Sequence, residues 1–205
     1  PPMPAVGTRS VDPDGGGVQN MTLFCFDSYG LFITTAQATV SPEDPEYDEE
    51  TGNYLISGTF SAKVPQNTRT IHFLANQIMT GFKESDFYSQ SESEVMASLE
   101  GSSGMMVYWA RFEAQNDLAT ELKEIELLRN HARIRVKNPE NAHMAITGMA
   151  VYNTNAFGTV APYHPTQRFV RPGKDNGYFV TLPHNTAMLS DVYDVTENTS
   201  QYVFE

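Results

Sequence analysis

Apolar and polar residues alternate along much of the chain with a period of two, and turn-rich stretches interrupt them every ten or so positions, a pattern that predicts strands. The clearest case is YLISGTFSAKV. In an extended strand it places Tyr54, Ile56, Phe60, Ala62 and Val64 on one face and Ser57, Thr59, Ser61 and Lys63 on the other, with Gly58 interrupting the apolar row. MTLFCF, Met21–Phe26, is apolar on both faces, as expected of a strand covered on both sides. Asp27-Ser28-Tyr29-Gly30 then supplies turn chemistry, and a hairpin partner follows at Leu31–Thr39. RTIHFLAN sets Ile71, Phe73 and Ala75 on one side and Thr70, His72 and Leu74 on the other, so His72 is expected at a sheet face. Further strands are predicted at Met106–Phe112, Leu128–Lys137, Met144–Tyr152, Tyr178–Leu182 and Gln201–Phe204. Helix is the minority element, at Lys83–Tyr88 and Glu92–Leu99. The second opens with Ser91 as N-cap and Glu94 three residues on, a capping box. The expected fold class is all-β.

Composition supports a packed core and narrows the function. Hydrophobic residues make up 40% of the 205, with 12 Phe and 10 Tyr, enough apolar material to bury. The 13 Lys and Arg against 25 Asp and Glu leave a net charge of −12. That balance argues against nucleic acid, whose phosphates demand clustered basic residues. No apolar run reaches the about 18 residues of a membrane span, and no signal peptide opens the chain. The chain begins at Pro1-Pro2 and is expected to be a processed or trimmed form.

Motifs for chemistry are sparse. Cys25, the single cysteine, lies in an apolar run and reads as a buried thiol. The five histidines, His72, His131, His143, His164 and His184, lack zinc-ligand spacing. GSSG at Gly101–Gly104 does not have the pattern of a nucleophile elbow. Six carboxylates crowd the Ser41–Asn53 loop, which reads as a solvated hairpin tip or, alternatively, a cation site. Asp12-x-Asp14-Gly15 resembles the opening of a calcium loop, but the later ligands of that pattern are missing. No cofactor, no metal and no enzymatic activity are expected.

One basic constellation stands out. In LLRNHARIRVK, the residues Arg129, His131, Arg133, Arg135 and Lys137 occupy alternate positions, so a single strand would carry them on one face, opposite Leu128, Ala132, Ile134 and Val136. In so acidic a chain the stripe is expected to face acidic loops of the same chain, a neighbouring subunit or, last, a substrate.

The order of segments carries a resemblance. Arg9 and its acidic loop are followed by NMTLFCFDSYGLFI, VPQNTRTIHFLAN, ELLRNHARIRV and MAITGMAVYNTNAFGTVAP. In this order, over about Thr8 to Pro162, the chain resembles the N-terminal domain of the fimbrillins, the subunits of type V pili of Bacteroides and Porphyromonas relatives. The resemblance implies a transthyretin-like β-sandwich of about seven short strands, followed by a second β domain. It further implies a lipoprotein precursor at the bacterial outer surface, cut after an arginine by an arginine-specific surface protease. Loss of the first strand would then let a strand of another fimbrial subunit fill the groove, and the polymer would serve adhesion, with a host receptor as a possible partner.

The residues fit that implication on their own terms. Arg9-Ser10 stands between Pro-rich and Gly-rich stretches, where an extended segment would be readily cut. The expected organisation is a flexible leader over 1–17 carrying the cleavage point, a sandwich over 18–162, and a linker with the start of a second domain over 163–205, where Pro162, Pro165 and Pro172 interrupt the strand pattern. The chain starts upstream of the proposed cut and is therefore expected to be uncut. The alternative function is a secreted, non-polymerising sandwich that binds carbohydrate or host protein. Against sugar stacking, the single Trp109 lies in MMVYWARF, a buried-strand context. A hydrolase with a dispersed site is the third reading.

Overall fold

The structure is a computed structural model that describes residues 6–12, 17–50, 53–101, 106–136, 146–150, 154–155, 160–161, 187–188, 193–194 and 199–204. Its strands in chain order are β1 Val6–Asp12, β2 Met21–Phe26, β3 Phe32–Gln37, β4 Thr39–Pro42, β5 Glu46–Asp48, β6 Asn53–Ser61, β7 Thr70–Ala75, β8 Tyr108–Glu113, β9 Glu124–Glu126 and β10 Leu128–Arg129. Next come β11 His131–Val136, β12 Gly148–Met149, β13 Thr154–Asn155, β14 Ala187–Met188, β15 Tyr193–Asp194 and β16 Thr199–Phe204. Two short helices, α1 Glu92–Ser98 and α2 Leu118–Glu121, and a 3-10 turn at Glu84–Asp86 complete the set. The protein is all-β, as the alternation predicts.

Two sheets form the sandwich. One runs β4-β6-β1-β9, with β5 also paired to β6, and the other runs β10-β8-β7-β2-β3. Between them, Ile56 and Phe60 of β6 and Ile125 of β9 join Leu23, Cys25, Ile71, Phe73 and Tyr108 of the second sheet in one buried cluster. The Phe60 and Phe73 rings cross that interface edge-on, with centroids 5.4 Å apart. The outer face of the second sheet is covered as well. There Phe24, Phe26, Leu74 and Trp109 pack with Val95 and Met96 of α1 and with Val160 and Ala161. This double covering is why every residue of β2 and of β7 is buried; for β2 it matches an apolar character on both faces, whereas in β7 it buries the polar Thr70 and His72 as well.

Local signals set the ends of several elements. Asp27 Oδ1 accepts the backbone N–H groups of Tyr29 and Leu31, and Gly30 takes a φ of 73° in the same turn, so β2 reverses into β3. Helix α1 begins with the predicted capping box, Ser91 and Glu94 each satisfying the other's backbone. The outer edge of β3 is covered by the segment before α1. The Thr35 N–H donates to the Glu84 carboxylate, the Thr34 hydroxyl donates to it at 2.6 Å, and Phe32 N–H donates to the Gln90 carbonyl at 2.9 Å. An edge strand so occupied offers few free groups to another chain.

The structure also departs from the pattern. The strand expected over Leu31–Thr39 divides at Ala38, whose N–H bonds to the Met21 carbonyl, and β3 and β4 join different sheets. The strand expected over Leu128–Lys137 divides at Asn130, whose N–H bonds to the Val107 carbonyl. Only one 3-10 turn forms within Lys83–Tyr88. The acidic Ser41–Asn53 loop holds the short strand β5. The strand predicted at Tyr178–Leu182 lies outside the described residues. The leader expected over residues 1–17 contains β1, a strand with two neighbours; pairing partners far along the chain, not its own alternation, hold it extended.

The last three ladders pair β11 with β16, β12 with β15 and β13 with β14, all antiparallel. The boundary expected at residue 162 therefore falls between the partners of each ladder.

Candidate functional site

The candidate site is the seam that β1 fills. Its backbone runs antiparallel to β6, with Val6 opposite Phe60, Thr8 opposite Gly58, Arg9 opposite Ser57 and Ser10 opposite Ile56. On its other side it runs parallel to β9 over three residues only, Gly7 opposite Glu124, Thr8 opposite Ile125 and Arg9 opposite Glu126. Ser10, Val11 and Asp12 pair with β6 alone. The Arg9–Ser10 bond thus separates Gly7–Arg9, held from both sides, from Ser10–Asp12, held from one.

The neighbours of the seam are well anchored. Phe60 is 1% exposed and Ile56 and Ile125 are each 5% exposed, so the seam lies over the sandwich core. Ser57, the register partner of Arg9, donates its hydroxyl to Glu43 at 2.5 Å, and its carbonyl accepts the Glu43 N–H at 3.0 Å. Arg9 is accordingly set in a strand between positions carrying Ser57 and Glu126, not in a loop, and a protease needs that pairing to open before the bond can enter its cleft.

The basic stripe is divided. Arg129 belongs to β10 and pairs with Tyr108, whereas His131, Arg133 and Arg135 alternate along β11, opposite Phe204, Tyr202 and Ser200. Asn130 separates the two strands, so Arg129 and the other three lie in different sheets. Lys137, Asp14, His143, His164, His184 and most of the GSSG motif lie outside the described residues. Among the described residues, no three His, Cys, Asp or Glu side chains converge as metal ligands. Cys25 is buried, and burial pushes its thiol up to about 12, which makes it a poor nucleophile.

A buried polar network that no local sequence signal reveals lies on the outer face of the second sheet. His72 is fully buried; its Nδ1 accepts the Trp109 indole N–H at 2.9 Å, and its Nε2 lies 2.5 Å from Glu92 Oε1. Arg111, directly across from His72 in the β7–β8 ladder, donates to both oxygens of Glu92, at 2.5 and 3.2 Å, and to Glu113 at 2.9 Å. Burial alone would raise the Glu92 pKa, but the hydrogen bonds from His72 and Arg111 outweigh it and hold the carboxyl at about 2. Burial lowers the pKa of His72, with Glu92 opposing in part. A neutral imidazole that accepts at Nδ1 must carry its proton on Nε2 and donate it to Glu92. Because Glu92 is the first residue of α1, the network ties that helix to β7 and β8.

No protein-family model matches the sequence, and no curated protein matches it. Among solved structures, the chain is similar to the tip fimbrial protein Mfa3 from Porphyromonas gingivalis with C-terminal truncation, at 13% identity and a TM-score of 0.48, over 98% of this chain and 69% of that one.

Proposed function

We propose that this protein is a structural subunit of a bacterial cell-surface fimbria, primed for assembly by cleavage after Arg9 and joined to its neighbours by strand exchange in the service of adhesion. The observation that carries the reading is the position of β1 between β6 and β9, taken with the segment order noted above. A cut after Arg9 detaches every residue of β1 that pairs with β9. Once those residues leave, β6 loses its partner from Ser57 to Phe60 and β9 loses its partner beside Ile125, while Ser10 still pairs with Ile56. Unpaired edges over an apolar floor accept an added strand by main-chain hydrogen bonding and side-chain burial. Val6, Thr8 and Ser10 are the β1 positions opposite Phe60, Gly58 and Ile56. A more apolar strand from another subunit would bury more surface there and displace β1 downhill. The partners in this reading are other fimbrial subunits, an arginine-specific surface protease and a host receptor, and the location is the outer cell surface.

The test is to incubate the full-length protein with an arginine-specific protease, map the new N-terminus and look for ladders of SDS-resistant multimers. Cleavage after Arg9 followed by multimers is the expected result, and Arg9→Ala blocks both. Cleavage at another bond, or cleaved full-length protein that stays monomeric, overturns the reading.

A further inference from the structure

We propose that the cleft between the loop at residues 64–69 and the segment at residues 116–119, where α2 begins, binds an acidic sugar, a single ring bearing a carboxylate and free hydroxyls. The cleft has a volume of about 280 Å³, just below the about 300–1,000 Å³ of ligand sites, so it suits one ring rather than an extended chain.

Arg69 supplies the reason for the charge. Its guanidinium donates to the Asn116 carbonyl at 2.5 Å, a bond that spans the cleft and fixes the planar group at its wall. None of the ion pairs among the described residues includes Arg69. Lys63, Lys83 and Lys123 likewise form no ion pair among the described residues, so what sets Arg69 apart is that a backbone carbonyl holds its guanidinium at the wall of a cleft. Arg111, by contrast, is bound by two carboxylates. A guanidinium has five N–H donors in a fixed fork that matches a carboxylate in bidentate geometry.

The remaining lining supplies the reason for the hydroxyls. Gln66 and Asn67 present amides, which both donate and accept, Ser28 presents a hydroxyl, and Asp117 presents a carboxylate that pairs with no cation among the described residues. These groups match the mixed donors and acceptors of a ring hydroxyl set. Val64, Pro65 and Leu118 add an apolar patch for its C–H face. No aromatic ring among the described residues lines the cleft, so discrimination falls to the Arg69 contact, which a neutral sugar cannot make. The proposal is independent of the fimbrial reading, since the cleft includes no residue of β1, β6 or β9.

The experiment is a titration of the isotopically labelled full chain with glucuronate and with N-acetylneuraminate, followed by amide chemical shifts, with glucose and acetate as controls. The expected result is perturbation confined to residues 66–69 and 116–119 by at least one acidic sugar at millimolar concentration. Affinity should fall about tenfold or more in Arg69→Gln, the loss of a hydrogen-bonded charge contact, and also fall in Asn67→Ala, a change in an exposed turn that spares the fold. Weaker binding of glucose and acetate is expected. The proposal is overturned if neither acidic sugar perturbs these amides, if acetate binds as well and the site is a simple anion site, if glucose binds as well, or if Arg69→Gln leaves the affinity unchanged.

Discussion

Trp109 donates its indole N–H to Nδ1 of His72 at 2.9 Å, and this one bond decides which nitrogen of the buried imidazole faces Glu92 with a proton. The strand carries the donor and the adjacent strand the acceptor, from register partners offset by two. Removing the donor by Trp109→Phe leaves the ring's hydrophobic role largely in place and deletes the bond. The expected cost is about 1–3 kcal/mol, the range for a buried group that loses its partner, read as a lower urea midpoint at neutral pH with unchanged slope. A midpoint equal to that of the parent chain contradicts this account of the network.

Acidification should weaken the fold in two stages. Burial lowers the pKa of His72 below its ordinary 6.5, so the unfolded chain takes up that proton first and stability declines as pH falls below about 6.5. Glu92, held at about 2 against an ordinary 4.5, contributes stability that is intact above about 4.5 and is lost as pH falls from there towards 2. The measurement is the denaturation midpoint as a function of pH, for the parent and for Glu92→Gln. The variant should show a shallower lower stage, since Glu84, Glu94 and Glu121 are also held below their ordinary value, and start from a reduced midpoint, while a midpoint that rises on acidification rules out both assignments.

At Gly58 the backbone of β6 leaves no room for a side chain beside β4. A Cβ at this position would lie 2.7 Å from the Ser41 carbonyl oxygen and 3.0 Å from the Pro42 Cα. Both contacts are backbone, so no side chain can swing aside, and β4 must shift. Gly58→Ala is expected to destabilise by about 1–3 kcal/mol, the range for overpacking, measured by thermal or urea unfolding. Because Gly58 pairs with Thr8 on its other side, amide hydrogen exchange in β1 should quicken in the same variant. Exchange unchanged across β1 would show that the strain stays on the β4 side.

Elements whose signal is local were readable in the sequence. Met21–Phe26 matches β2 to the residue, and Ser91 with Glu94 marks the start of α1 through a motif only four residues long. The alternation in Tyr54–Val64 places Ile56, Phe60, Ala62 and Val64 inside, as found, whereas Tyr54, expected on the same face, is exposed beside Tyr47. The basic stripe fared differently. Alternation places Arg129 with His131, Arg133 and Arg135, but the hydrogen bond from Asn130 to Val107 ends one strand and starts another in a different sheet, and period-two counting contains no term for that break.

The amino-acid order by itself determined the all-β class, the double covering of β2, the capped helix and the burial of Cys25 and Trp109, because each follows from side-chain periodicity or from contacts within a few residues. Only the tertiary structure decided that Arg9 stands inside a paired strand, that Glu92 meets His72 and Arg111, and that Arg69 reaches across a cleft to Asn116. Those relationships join residues 19 to 117 positions apart. They depend on which sheet edges and turns the whole chain brings together, and no local pattern carries that information.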